Sequence, residues 1–162
     1  MITATKNLKH PTLSPVQVEQ VGRSLQELLA SLIDLQLSVK QAHWNVVGPR
    51  FDPIHPTLDK IHATLTKYVD EVAERLPAVG VPADGRVGTV AAQTKLAGFP
   101  AGFIGDEQAL REVLERLEIV IRQARGARED LAAADPVSED LVLEMLGELE
   151  KQAWMLRSQL RS

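Results

Sequence analysis

Five side chains that could bind a metal ion lie close together near the middle of the chain: His43, His55, Asp59, Asp70 and Glu74. Imidazole nitrogens and carboxylate oxygens without a thiolate suit ferrous iron, and also manganese or zinc. The chain has no cysteine, so a thiolate site is excluded. Single histidines and acids usually coat a solvated surface. The hypothesis of a metal site therefore depends on the spacing of all five.

The segment from His55 to Leu76 has the pattern of an amphipathic helix. At about 100° per residue, Asp59, Asp70 and Glu74 fall within roughly 100° of His55, beside the apolar stripe. These ligand candidates therefore share one arc, which faces a neighbouring element and not the chain's own core. If the arc is accidental, the alternative is a metal-free helical interaction protein. The apolar residues recur at threes and fours; they are Leu58, Ile61, Leu65, Val69, Val72 and Leu76.

The two ends of this arc are too far apart to close one site within one chain. His55 and Asp70 are fifteen residues apart. That spacing is about 22 Å along a helix, whereas metal–ligand bonds measure about 2.0–2.3 Å. A second copy running antiparallel about a two-fold axis would bring its Asp70 and Glu74 beside His43 and His55 of the first copy. The spacing predicts a metal site shared between the subunits of a homo-oligomer.

The motif around these residues resembles that of the Dps family, the miniferritins named as DNA-binding proteins from starved cells. In that family, two histidines twelve residues apart and acids sixteen, twenty-seven and thirty-one residues after the first histidine are ferroxidase ligands, and this chain has the matching residue at all five positions. The resemblance covers nearly the whole chain. The matching residues are His43-Trp44-Asn45, Gly48, Phe51, His55, Asp59, Asp70, Ala73-Glu74-Arg75, Glu150-Lys151, Trp154-Met155 and Leu156-Arg157.

The resemblance implies a hollow shell of twelve subunits, in which iron is oxidised at inter-subunit sites and stored as ferric mineral. The substrates would be Fe(II) and hydrogen peroxide or dioxygen, and the five matched side chains would be the catalytic iron ligands. Oxidising two ferrous ions together with one peroxide avoids the release of hydroxyl radical. The implied function is a ferroxidase that stores iron and protects DNA from oxidative damage.

The resemblance also implies an entrance for ions. The family's three-fold pore lies near the start of the fourth helix and is lined by acids. Asp140 is the first choice for this pore, because Asp135 has the alternative role of a helix cap. The candidate pore residues in this region are Asp130, Asp135, Glu139 and Asp140.

Three further side chains near the matched motif have open roles. Trp44 is either a core anchor or, as the resemblance implies, a neighbour of the iron site that absorbs oxidising equivalents. Trp154 is expected to pack in the core, with electron donation as the alternative. His62 follows Asp59 by three residues. It is expected to be a surface histidine with a supplementary metal role as the alternative, because the Glu-x-x-His pairs of larger ferritins are absent.

The rest of the sequence predicts an all-α, ferritin-like four-helix bundle. Ser14 followed by Pro15 predicts the start of a first helix that runs to His43. Gly48-Pro49 then breaks the chain before the second helix. Hydrophobic residues make up 44% of the chain and aromatic residues only 4%. This composition favours packed helices with a core of leucine, valine and alanine.

A long crossover separates the second helix from the third. Residues 77–105 are too many for a tight turn, and residues 87–95 are expected to form one short helix within them. Asp106 predicts the start of the third helix, and Asp135-Pro136 that of the fourth. The chain is thus expected to have one bundle domain over residues 15–162.

Residues 1–14 are expected to form a flexible N-terminal arm. Lys6 and Lys9 make it a weak DNA-binding handle, since each phosphate contact is strongly salt-sensitive. The net charge of −4 per chain becomes about −48 in a shell of twelve, which repels nucleic acid. A nucleoid-associated, DNA-condensing protein is the alternative function. No apolar run predicts a membrane span or a signal peptide, so we expect a cytoplasmic protein.

Overall fold

The computed structural model describes residues 9–161, which fold into helices joined by short connections and one long one. The helices are α1 (Pro15–Asn45), α2 (Phe51–Ala78), α3 (Val87–Gln93), α4 (Asp106–Ala134) and α5 (Pro136–Leu160). Two short strands, β1 (Val46–Val47) and β2 (Ile104–Gly105), pair in parallel. The four long helices form the predicted all-α bundle, and α3 lies in the crossover between α2 and α4.

The long helices pack antiparallel to their neighbours. α1 contacts both α2 and α4, and α5 contacts α4 and α2. At one end of the bundle, Gln17 at the start of α1 donates a hydrogen bond to the carbonyl oxygen of Ala134 at the end of α4. At the same end, Arg75 late in α2 pairs with Asp135 just before α5. α2 and α4 therefore run in the same direction, and this is why the connection between them must cross the length of the bundle.

The core is built from the stripes that the sequence pattern predicts. On α2, every residue of the predicted stripe is buried except Val69, which is partly buried and packs against the core. Burying one such aliphatic side chain contributes about 1.5–3 kcal/mol. Tyr68 is the largest fully buried side chain. This packing fixes the rotation of α2 and turns its polar arc outward.

Most of the predicted helix boundaries agree with the structure. Ser14 caps α1 in a reciprocal arrangement: its hydroxyl accepts from the Gln17 backbone N–H at 3.3 Å, and the Gln17 side chain accepts from the Ser14 N–H at 2.9 Å. α2, however, begins at Phe51, four residues before the predicted start. The sequence pattern placed the start later because Pro53 is a helix breaker in most positions. In the first turn of a helix a proline is tolerated, since the N–H that it lacks would have no hydrogen-bond partner there. Strands of two residues are too short to leave a periodic signal.

The segment that precedes α1 is only partly described. Residues 1–8, with Lys6 among them, lie outside the described residues. Lys9 is exposed, and no helix is assigned before Pro15 within residues 9–14. Among residues 9–161, no helix is both long enough and apolar enough to cross a membrane.

Candidate metal centre

The turn between α1 and α2 brings two histidines face to face. His43 lies near the end of α1, and His55 lies in the second turn of α2. Their rings stack with centroids 3.7 Å apart and planes 29° apart. The Nδ1 atom of each ring lies 3.1 Å from the backbone carbonyl oxygen of the other residue. Because a carbonyl oxygen only accepts, each Nδ1 carries a hydrogen, and Nε2 is the ring atom that would bind a metal.

Asp59 completes a group of three with the two histidines. It follows His55 by one helical turn, and its Oδ1 atom lies 3.3 Å from Nδ1 of His43. One ligand atom from each of His43, His55 and Asp59 lies within 4.8 Å of the other two. We call these three residues the triad. Two imidazoles and a carboxylate at this separation form a donor set that fits a first-row divalent ion.

The chain that carries the triad is similar to proteins of a known family. Residues 23–162 match the family model of the ferritin-like domain. The DNA protection during starvation protein of Mycolicibacterium smegmatis is 33% identical over 156 residues, covering 94% of this chain and 83% of the relative. The chain belongs to the Dps family of ferritin-like proteins. The DNA protection during starvation protein 2 of Deinococcus radiodurans is 32% identical over 94% of this chain. The match spans only 63% of that relative's length.

A solved structure of this family has the same fold. The structure of Dps from Microbacterium arborescens in the high iron form superimposes with a TM-score of 0.89 at 30% sequence identity. It covers 96% of this chain and 100% of the other chain. The expected ferritin-like fold is therefore confirmed for this Dps chain.

The other two predicted ligands lie elsewhere in the Dps subunit. Asp70 and Glu74 are exposed on α2, in later turns than Asp59. Asp70 follows Asp59 by eleven residues, about 16 Å along the helix. Within one subunit, the structure thus brings together three of the five predicted ligands and leaves the two later acids apart from them.

A lysine that the sequence reasoning did not identify lies at the triad. The Lys40 ammonium nitrogen is 2.7 Å from Oδ1 of Asp59. This hydrogen bond, together with the charge of the histidines when protonated, holds the pKa of the Asp59 carboxyl below its ordinary value. Asp59 is therefore ionised at neutral pH. The available signal was the position of Lys40, one helical turn before His43 on α1.

His62 lies near the triad without joining it. It is partly buried, and the group of ligand atoms within 4.8 Å includes only the triad residues. Partial burial and then the positive charge of Lys40 lower the pKa of His62 below its ordinary value. The prediction of an outer or surface histidine, with a supplementary metal role as the alternative, stays a prediction.

Exposed apolar side chains occur on the two helices and the turn that carry the triad. The ring centroid of Phe51 lies 4.8 Å from that of His55, and Phe51 is itself exposed. Trp44 is 65% exposed in the single subunit, so its alternative as a core anchor is wrong. Leu37 is also exposed, two helical turns before Trp44 on α1. The exposed apolar residues of this end of α1, the turn and the start of α2 are called the apolar rim, and they are Leu37, Trp44, Val47 and Phe51.

The second tryptophan is likewise on the surface. Trp154 is 60% exposed on α5, which contradicts the expectation that it packs in the core. Its neighbour Met155 is also exposed. From sequence alone, an aromatic residue in a helix is expected to be buried in the core. Only the packing of the helix shows which face of the helix the residue occupies.

The four candidate pore acids have different surroundings. Asp130 and Asp140 are exposed. Glu139 is ion-paired with Arg128 at 2.7 Å. Asp135 is buried, and its carboxylate accepts from Arg75 at 2.7 Å and from the Ser138 hydroxyl. A carboxylate that is buried between Arg75 and Ser138 is not available to line an ion pore. In the described residues, Asp135 therefore connects the start of α5 to α2 and is not a pore acid.

Proposed function

We propose that this Dps chain oxidises and stores iron at metal centres shared between two subunits. The observation that carries the proposal is the division of the ligand set along α2. The triad is assembled within the subunit, while Asp70 and Glu74 are exposed on the same arc of the helix. Each subunit thus has an incomplete centre and, more than 10 Å away, the acids that would complete another.

A two-fold axis would join these halves. An antiparallel partner would lay its Asp70 and Glu74 against the triad, and symmetry would create a second identical centre. The apolar rim supports this arrangement, because exposed apolar surface bordered by polar groups is typical of an interface. We propose that such dimers build the hollow twelve-subunit shell in which the ferric product is stored.

The proposed reaction follows from the donor set. Neutral imidazoles bind the ferrous substrate, and the carboxylates stabilise the ferric product. Two ferrous ions each give one electron to one hydrogen peroxide, whose O–O bond breaks. With two water molecules, the products are two ferric oxyhydroxide units and four protons. Both electrons go to the same peroxide, so no hydroxyl radical is released.

Protection of DNA requires no contact with DNA under this proposal. The names of the relatives refer to DNA protection, and removal of ferrous iron and peroxide would provide it. The chain carries a net charge of −4, which opposes binding to a polyanion. A DNA-condensing function, the alternative from the sequence, would rest on Lys9 and on Lys6, and Lys6 lies outside the described residues.

Mixed assemblies test whether the centre is shared. In His55→Ala the triad is lost, and in Asp70→Ala the partner's contribution is lost, so neither variant alone should oxidise Fe(II) rapidly with peroxide. When the two chains are co-expressed in equal amounts, half of the dimers are mixed, and each mixed dimer has one intact centre. We expect about a quarter of the wild-type stopped-flow amplitude to return.

His10→Ala is the matched control, because His10 lies before α1 and away from the triad. It should oxidise Fe(II) like the wild type. If the mixed shells assemble but remain as slow as either parent, the centre is not shared between subunits. If His55→Ala alone is as fast as the wild type, the triad is not the site of oxidation.

A further inference from the structure

We infer that Asp106 is a positioning residue for the triad: it holds the turn that sets the two histidines against each other. This inference rests on the proposed metal centre. Asp106 is the first residue of α4, and among the described residues its carboxylate is hydrogen-bonded to Arg50 and to neither His43 nor His55. Its effect on the centre would therefore pass through the turn.

The turn that joins α1 to α2 sets the triad geometry. Only residues 46–50 separate the two helices, with His43 three residues before them and His55 five residues after them. The reciprocal contacts between each Nδ1 and the other carbonyl oxygen are both 3.1 Å. A small rotation of α2 about this turn would lengthen both contacts and separate the stacked rings.

The carboxylate of Asp106 binds this turn at two points. Its Oδ2 atom accepts from the backbone N–H of Arg50 at 2.9 Å, and its Oδ1 atom accepts from the Arg50 guanidinium at 2.9 Å. Asp106 is buried, so these bonds are little exposed to competition from water. The hydrogen bonds from Arg50 also hold the pKa of Asp106 below its ordinary value. The carboxylate therefore stays ionised, and hydrogen bonds to an ionised group are strong.

The backbone of the turn rests directly on the same carboxylate. Gly48 has a φ of +139°, and a Cβ atom placed on it would lie 2.6 Å from Oδ2 of Asp106. Only a glycine permits both this conformation and this close approach. Beside it, β1 pairs with β2 through Val46 and Ile104. The start of α4 thus holds the turn through two kinds of contact, a short backbone ladder and a charged side chain.

Arg50 extends the connection to a third helix. Its guanidinium lies 3.5 Å from the carbonyl oxygen of Gln159, near the end of α5. It also lies 3.8 Å from the Glu107 carboxylate. The start of α2 is therefore tied to α4 and α5, which explains how a turn of five residues keeps a single geometry without its own side-chain cap on α2.

The test compares Asp106→Asn with Glu107→Gln. Both changes remove one negative charge from the first turn of α4, but Glu107 is exposed and bonds Arg111, and its 3.8 Å separation from Arg50 is too long for a hydrogen bond. An asparagine amide has one oxygen, so it accepts from only one of the two Arg50 donors at full strength. We expect Asp106→Asn to bind Co(II) about tenfold more weakly, as is typical when a group that orients metal ligands is lost, and Glu107→Gln to change the affinity by less than about twofold.

Two further readings separate positioning from general instability. The visible spectrum of bound Co(II) should change in Asp106→Asn, although its thermal melting and assembly size stay close to those of the wild type. In its crystal structure, the rings of His43 and His55 should no longer stack. Wild-type affinity, an unchanged spectrum and stacked rings in Asp106→Asn would overturn the inference. If the wild type itself binds no Co(II), the proposed metal centre fails, while the ring geometry still decides the role of Asp106.

Discussion

Asp59 and Asp135 each lie 2.7 Å from a basic side chain, yet their surroundings differ. The Asp59 side chain is 49% exposed and contacts Lys40 at the triad. The Asp135 side chain is only 6% exposed and contacts Arg75 between two helices. Ser138 closes this second network, since its hydroxyl donates to Asp135 and accepts from Nε of Arg75. One carboxylate is open to solvent, and the other is enclosed.

The difference shows how the same charge pair serves two purposes. The Arg75 guanidinium donates to both Asp135 and Ser138 and so connects α2 to the start of α5, and a hydrogen bond to an ionised carboxylate is strong. A lysine is a single mobile charge on a flexible stem. Lys40 pairs with the exposed Asp59 carboxylate, and a metal ion that binds this carboxylate would have to displace the ammonium group. We therefore expect changes at Asp135 to affect stability and changes at Lys40 to affect metal binding.

The largest effect is expected from Asp135→Ala. It leaves the Arg75 guanidinium largely buried without its carboxylate partner, and removal of one partner of a buried ion pair costs about 3–5 kcal/mol. We expect the free energy of unfolding to fall by about 3 kcal/mol, the low end of that range, because the Arg75 side chain retains some contact with water. Urea denaturation at one fixed protein concentration measures it, since oligomer stability depends on concentration.

Asp59→Ala is the control for that measurement. Its ion pair is exposed, and such pairs contribute little to stability. It should unfold at nearly the same urea concentration as the wild type while losing metal affinity. Equal destabilisation by the two changes would mean that burial does not distinguish these two pairs.

An intermediate effect is expected from Lys40→Met. At neutral pH, a divalent ion that binds Asp59 must displace the ammonium group and approach its positive charge. Removing that charge at a distance of a few ångströms should raise the affinity of the triad for Zn(II) about fivefold. Isothermal titration calorimetry measures the change.

Lys60→Met is the matched control, because it removes the same charge from the residue next to Asp59 on an exposed part of α2. Its affinity for Zn(II) should stay close to that of the wild type. A similar gain in both variants would show that overall charge matters and that the contact between Lys40 and Asp59 does not.

Local patterns predicted much of the fold and part of the candidate centre. The apolar stripe of α2 and the cap at Ser14 depend on residues within a few positions of each other, so periodicity and capping rules identify them. The arrangement of ligand types on α2 is also local. That is why the sequence predicts that Asp70 and Glu74 lie apart from the two histidines within one chain, and in the single subunit they are not part of the group formed by His43, His55 and Asp59.

Contacts between distant parts of the chain could not be predicted in this way. Gly48 and Asp106 are fifty-eight residues apart in sequence, and their contact exists only because the crossover returns α4 to the turn. Asp135 was assigned to a helix cap or a pore because nothing near it in sequence indicates that Arg75 reaches it. Trp44 and Trp154 show a further limit of hydrophobicity: it does not distinguish a side chain that packs in the core from one exposed on the subunit.

The smallest effect is expected in the acid dependence of the Arg75–Asp135 pair, because Asp135 is one of 22 acidic residues in the chain. Burial alone would raise the pKa of Asp135, but the hydrogen bonds from Arg75 and Ser138 outweigh it and hold that pKa below its ordinary value of 3.8. The folded state therefore binds this proton less readily than the unfolded state. The pair's contribution is complete above the unfolded pKa and is lost as the pH falls through the folded one.

Melting temperatures of the wild type and Asp135→Asn between neutral pH and strong acid test this sign. The wild type should be more stable near neutral pH, and the gap should narrow only below the ordinary aspartate pKa. For Asp59→Asn the gap should stay small throughout, because solvent screens the exposed pair. A gap for Asp135→Asn that stays constant into strong acid would show that the enclosed carboxylate stabilises the two helices through its shape and hydrogen bonds and not through its charge.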